Sequence, residues 1–154
     1  MTAATDLKAR LQSDLTEAIR SRDDVRSATL RMALTAVRAA EVAGTSARTL
    51  SDDEVEGVLG REAKKRREAA SAFADAGRPD RAERENAELA VLEGYLPQQL
   101  TDEELSGIVS EAVGEVGVTG PAAIGRVMKL VQPRVARRAE GGRVAAEVRR
   151  QLSS

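Results

Sequence analysis

Apolar residues recur along most of this 154-residue chain at the three- and four-residue spacing of amphipathic helices. Leu7 and Leu11 begin the first such stripe, which predicts a helix of about 15 to 18 residues. A second stripe follows Asp23 or Asp24, either of which can cap a helix. A long third stripe and a fourth, with Pro79 in its first turn, complete the N-terminal part of the pattern.

Polar and turn-forming residues predict where these helices begin and end. The sequences SDDE from Ser51 and TDEE from Thr101 have the spacing of capping boxes, so a helix is expected to start at each. Gly77 suits the left-handed residue that ends a helix, and Pro97 predicts that the fourth helix stops near Tyr95. The chain is thereby divided at its one tyrosine.

Three shorter apolar stripes after this division predict a small bundle. The first ends at Gly117, and the second runs from Pro121 to Pro133. Gly141 and Gly142 predict a break before the last helix.

The composition favours an all-α fold, because Ala, Leu and Val dominate the apolar residues while aromatic residues, which sheets prefer, make up 1%. We predict about four helices in an N-terminal domain of residues 1–94 and three in a C-terminal domain of residues 95–154. Tyr95, Leu96 and Pro97 are interpreted as an interdomain hinge.

The chain holds neither Cys nor His, which excludes disulfides, the usual zinc ligands and the common nucleophile and base pairs. We expect no metal and no cofactor. Glu85 and Glu88 lie at helical neighbour spacing, but spacing alone gives little support for acid and base catalysis. No apolar run approaches the roughly 20 residues that span a bilayer, so a cytoplasmic protein without a membrane partner is expected.

Charge is segregated in the last third of the chain. Residues 95–119 contain five acidic and no basic residues, a formal charge of −5, whereas residues 120–152 contain eight basic and two acidic residues, a formal charge of +6. Such a basic segment can bind phosphates. The candidate RNA-binding residues are Arg126, Lys129, Arg134, Arg137, Arg138 and Arg143.

A second basic cluster surrounds the third predicted helix. Lys64, Arg66 and the hinge-side Arg78 form a candidate secondary basic surface for anions. The alternative is structural, since Glu62 and Arg66 have the spacing of a helical ion pair. Charged runs are in general solvated faces, and that reading stays open for both clusters. The scarcity of aromatic residues argues against recognition of unpaired bases, although folded RNA can be recognised by its backbone.

Three segments carry a resemblance to a known family: EAKKRREAASAFADAGRPD at 62–80, LEGYLPQQLTDEEL at 92–105 and AAIGRVMKLVQPRV at 122–135. The chain resembles the GatB/YqeY family, specifically a stand-alone YqeY-like protein. The resemblance implies an N-terminal helical domain followed by a three-helix domain similar to the tail of the B subunit of the tRNA-dependent amidotransferase, which helps to hold tRNA.

The match to that tail is incomplete. Gly125, Val127, Met128 and Lys129 match its GxVMK segment, but Arg137 stands where the resemblance implies a Gly. This Arg either obstructs close approach of the backbone or adds a cation.

These observations favour a noncatalytic accessory protein that binds tRNA, or a tRNA-handling enzyme, through the basic segment. The alternative is a protein-interaction module that docks an amidotransferase or another helical partner at an apolar groove near Tyr95. The family resemblance also implies carbon–nitrogen ligase activity with glutamine as amido-N-donor, for which the sequence offers no catalytic residue set.

Overall fold

The computed structural model describes residues 6–153, and every regular element in that range is helical. The seven α-helices, with a 3₁₀ turn at Pro121–Ala123 before the sixth, are α1 Leu7–Arg20, α2 Asp24–Glu41, α3 Asp52–Asp75, α4 Pro79–Glu93, α5 Asp102–Val116, α6 Ile124–Val135 and α7 Gly141–Leu152. The predicted all-α fold is confirmed, with four helices before Tyr95 and three after it.

The chain divides into two compact units, of which one ends at Leu96 and the other begins at Pro97. The core of the N-terminal unit consists of apolar residues from α1 to α4 together with Leu50 and Tyr95. The C-terminal unit has its own core, built from α5, α6, α7 and the segments between them. The observed division lies two residues beyond the boundary drawn from the sequence.

Side-chain caps start the helices that the sequence marked. Ser51 Oγ accepts a hydrogen bond from the Glu54 amide at 3.2 Å, and the Glu54 carboxylate accepts from the Ser51 amide at 3.0 Å. Thr101 and Glu104 form the same reciprocal pair at the start of α5. Both capping boxes are confirmed, and Asp23 is the residue that caps α2.

Residues with positive φ follow the ends of α1 and α3. Gly77, at φ 73°, does so for α3 as predicted. Arg22 does so for α1 at φ 60°, and the Asp23 amide donates back to the Ala18 carbonyl at 2.9 Å. Arg22 was not predicted because only Gly and Asn signal this conformation in a sequence.

Two predicted boundaries in the C-terminal unit are wrong. Helix α6 continues through Pro133 to Val135, and Pro133 is exposed, where water can satisfy the carbonyl group that loses its intrahelical partner. The glycine pair from Gly141 forms the first turn of α7 after the N-cap residue Glu140 and does not precede the helix. The chain turns instead at Ala136, which has φ 50° and ψ −123°.

Tyr95 is a core residue of the N-terminal unit, with 6% of its surface exposed. Its hydroxyl donates to Asp14 Oδ2 at 2.5 Å and accepts from Arg26 Nη2 at 2.9 Å, and the Arg10 guanidinium lies 4.9 Å from the ring centroid. The hydroxyl is thus bound by a carboxylate of α1 and a guanidinium of α2. Tyr95 is therefore fixed to α1 and α2, while movement at the proposed hinge stays a prediction.

Candidate functional site

The six predicted RNA-binding residues lie on α6, on α7 and in the loop between them, and two of them are paired with the acidic helix α5. Arg134 forms a bidentate ion pair with Glu115, with N–O distances of 2.6 and 2.9 Å. Arg143 donates to Asp102 at 2.9 Å and to the Leu100 carbonyl at 3.1 Å. The Arg134 guanidinium lowers the pKa of Glu115. Both cations are therefore occupied within the unit, and neither belongs to the surface that we propose below.

Two further candidates lie in the loop between α6 and α7. Arg137 is exposed, while Arg138 is partly buried and donates from Nε to the Gln98 carbonyl at 3.0 Å. The positive φ in this loop occurs at Ala136, one residue before the position where the resemblance implies a Gly. Arg137 is thus accommodated without a left-handed backbone, and its side chain adds a cation to the loop.

The last two candidates, Arg126 and Lys129, are exposed on α6, and Arg149 on α7 shares their setting. We call these three residues the outer cations; within residues 6–153 none of them has an ion pair or a side-chain hydrogen bond. Because successive helical residues turn by about 100°, Lys129 lies about 140° around α6 from Arg134, and Arg149 about 120° around α7 from Arg143. Lys129 and Arg149 therefore point away from the sides that bind α5.

Arg149 and Arg150 both belong to the basic segment and neither is among the predicted RNA-binding residues, but the structure distinguishes them. Arg150 is paired with Glu147, three residues earlier, with N–O distances of 2.9 and 2.5 Å. Arg149 has alanines at the corresponding positions, Ala145 and Ala146. A search for acidic residues three and four positions away would have separated the two arginines.

A cavity of about 270 Å³ lies between α6, the loop and the first turn of α7. Its lining is mostly apolar and consists of Met128, Gln132, Val135, Ala136, Ala139, Gly141 and Val144. This cavity is not the apolar groove predicted near Tyr95, because the Tyr95 ring is buried in the N-terminal core. The predicted groove stays a prediction. All seven residues lining the cavity belong to the C-terminal unit.

The three residues of the candidate secondary basic surface lie in different environments. Arg66 has only 16% of its side chain exposed and lies within 3.4 to 3.6 Å of three carboxylates, those of Glu62, Glu85 and Glu88. Arg78 contacts Asp80 at 3.4 Å, and Lys64 is exposed on α3. Arg66 is therefore held in an ion cluster between α3 and α4, which also occupies the carboxylates considered for acid and base work.

Within residues 6–153 no group of three His, Cys, Asp or Glu residues is arranged to hold a metal ion. None of the helices in that range combines the length and the apolarity needed to cross a bilayer.

The fold and the site define an all-helical protein of two units, in which one acidic helix packs against two basic ones. The chain belongs to the family of YqeY-like proteins, because the family model matches residues 8–152. This match spans nearly the whole of both units and confirms the resemblance drawn from the sequence. A comparison with curated proteins gives no significant match.

Proposed function

We propose that this protein is a noncatalytic binding protein that associates with tRNA in the cytoplasm, alone or together with a tRNA-handling enzyme. The observation that carries the proposal is the setting of the outer cations Arg126, Lys129 and Arg149. They are exposed, and no carboxylate of the described residues neutralises them. Exposed, uncompensated cations are the groups that phosphates of folded RNA can engage.

The arrangement of charge in the C-terminal unit supports the same proposal. Helix α5 takes up Arg134 and Arg143 through Glu115 and Asp102, so its negative charge is directed at one side of α6 and α7. The remaining acidic residues of α5, such as Glu111, are placed to repel a polyanion from that helix. A polyanion is thereby favoured on the side of the unit that α5 does not cover.

The resemblance to the tail of the amidotransferase B subunit suggests tRNA as the polyanion. This tail holds tRNA in an enzyme whose chemical steps take place in other domains, so a tail-like unit can bind tRNA without itself carrying out a reaction. We do not propose carbon–nitrogen ligase activity, because no arrangement of residues between positions 6 and 153 favours it.

A titration of the full chain against bulk tRNA at two salt concentrations tests the proposal. Three or four phosphate contacts predict a slope of log K against log salt of about −2 to −4. Duplex DNA of equal total charge is the control, and it is expected to bind more weakly. No binding at low salt refutes the proposal, and equal affinity for the DNA refutes the assignment to tRNA.

A second candidate function is the docking of a helical protein partner, and the cavity beside Met128 favours it. An apolar anchor residue in such a pocket is the usual centre of a protein interface. A Met128→Gln variant would place a polar group in the cavity without changing the charge, so it is expected to abolish capture of an amidotransferase after nuclease treatment while leaving tRNA affinity unchanged. Unchanged capture by this variant would refute the second candidate.

A further inference from the structure

The segment that precedes α5 is hydrogen-bonded to the loop that carries Arg137 and Arg138. The Leu100 amide donates to the Arg138 carbonyl at 2.7 Å, and Gln99 Nε2 donates to the Arg137 carbonyl at 3.1 Å. In the opposite direction, Arg138 Nε donates to the Gln98 carbonyl at 3.0 Å. The two segments therefore bind each other reciprocally, through main chain and side chain.

The bond to the Gln98 carbonyl restricts the orientation of the Arg138 guanidinium. Its Nε is used inside the unit and its positive charge interacts with the Glu104 carboxylate, while the two Nη nitrogens make no hydrogen bond or ion pair in the described range of the chain. A planar guanidinium held at one nitrogen has a restricted orientation. Arg138 is thus held in place before any ligand arrives, in contrast to the exposed Arg126 and Lys129 of α6, which make no such bond.

We propose that Arg138 is the preorganised phosphate-binding residue of the C-terminal unit and that Gln99 is its positioning residue. The inference rests on the proposed binding of tRNA and names the ligand group, a backbone phosphate. A guanidinium already held in place loses less conformational entropy on binding than a mobile side chain does. Gln99 acts through the loop backbone and touches no ligand.

Gln98 provides a matched control for Gln99. The two residues are adjacent and of one type, but the Gln98 side chain is exposed and makes no hydrogen bond in the described structure; only its carbonyl takes part. Gln98→Ala keeps that carbonyl, whereas Gln99→Ala removes the bond to the Arg137 carbonyl. Gln99→Ala also removes the bond that Nε2 donates to the Pro97 carbonyl at 3.2 Å, so a difference between the two variants reports the two bonds of the Gln99 side chain together.

The first experiment needs no RNA. In ¹H–¹⁵N spectra of the full chain, assigned by the signal that Arg138→Lys removes, we expect the Arg138 Nε–H to exchange slowly with water. It should remain slow in Gln98→Ala and become fast in Gln99→Ala, with an unchanged far-UV CD spectrum in both. Fast exchange in the unmodified chain, or slow exchange in Gln99→Ala, overturns the positioning role.

The second experiment measures binding of bulk tRNA by fluorescence anisotropy. Loss of preorganisation predicts about threefold to tenfold weaker binding by Gln99→Ala, with an unchanged salt slope because no charge is lost. Arg138→Ala should weaken binding further and reduce the slope by about one contact. Gln98→Ala should bind like the unmodified chain.

The outcomes separate this inference from the function on which it rests. If the unmodified chain binds tRNA and Gln99→Ala binds equally well, the inference is wrong and the proposed function stands. If the unmodified chain does not bind tRNA, the proposed function is wrong and the phosphate ligand is withdrawn. Slow Arg138 Nε–H exchange would in that case still support the positioning bond.

Discussion

Replacement of Tyr95 by Phe removes one hydroxyl from the N-terminal core and leaves the ring in place. The variant loses the donation to Asp14 at 2.5 Å and the donation from Arg26 at 2.9 Å. Hydrogen bonds to charged groups contribute about 1.5–3 kcal/mol each. Asp14 and Arg26 are 31% and 38% exposed, so water can replace the lost partner at both. We therefore expect a net loss of about 2 kcal/mol, which is less than the sum.

The pH dependence gives a second measure of the same network. Burial, followed by the hydrogen bond to Asp14, raises the pKa of Tyr95 from 10.0 to about 12. The folded state therefore holds the phenolic proton more tightly than the unfolded state does. The resulting stabilisation is complete below pH 10 and is lost as the pH rises to 12. The shift corresponds to at most about 2.7 kcal/mol, which solvent access reduces to about 1–2 kcal/mol.

The assay is direct because Tyr95 is the only tyrosine and the chain has no tryptophan. Tyrosinate absorbance during an alkaline titration reports this residue alone, and urea unfolding followed by far-UV CD reports the stability. Asp14→Asn is the control and should lower the titration midpoint towards 10. A midpoint near 10 in the folded chain, with Tyr95→Phe as stable as the unmodified chain, would refute the reasoning.

Three further predictions concern stability. Arg66→Met leaves three carboxylates without their shared cation, so it should lower the free energy of unfolding in urea by about 3 kcal/mol. The control Arg61→Met should lower it by less than about 1 kcal/mol, and equal losses would contradict the ion cluster. Ala136→Gly relieves a left-handed backbone and should raise the free energy of unfolding by about 1 kcal/mol, and a decrease would contradict the observed φ. The pKa of Glu147 is lowered to about 2, first by its hydrogen bond to Arg150. Its contribution to stability is therefore present above the ordinary carboxyl pKa and lost as the pH falls from about 5 towards 2. Glu147→Gln should accordingly lose less unfolding free energy over that pH range than the unmodified chain does. Identical stability profiles for the two proteins would contradict this prediction.

Local signals in the sequence predicted much of the fold. The capping boxes at Ser51 and Thr101 depend on residues three positions apart, so a reader of the sequence can find them. Gly77 was predicted because a glycine after a helical stripe is itself a local signal for the end of a helix. Pro133 and the glycines from Gly141 were misplaced because tertiary packing of α6 and α7 outweighed their helix-breaking tendencies.

The partners of charged residues could not be predicted in the same way. Arg134 finds Glu115 at a separation of 19 residues, and Tyr95 finds Asp14 at a separation of 81. Neither pairing has a sequence signal, because both depend on how the helices pack. The charge count of residues 120–152 consequently overstated the available basic surface, since part of it is neutralised by α5.

We propose that the outer cations bind tRNA as a particular group, and that overall charge does not explain the binding. The most direct test compares two triple variants that lose equal charge, one at the outer cations and one at exposed arginines of the N-terminal unit: Arg126→Gln, Lys129→Gln and Arg149→Gln against Arg20→Gln, Arg31→Gln and Arg61→Gln. The first variant should lose at least about thirtyfold in affinity for bulk tRNA and flatten the salt slope by about 2, while the second changes affinity by less than about threefold. Equal losses in the two variants would contradict the account.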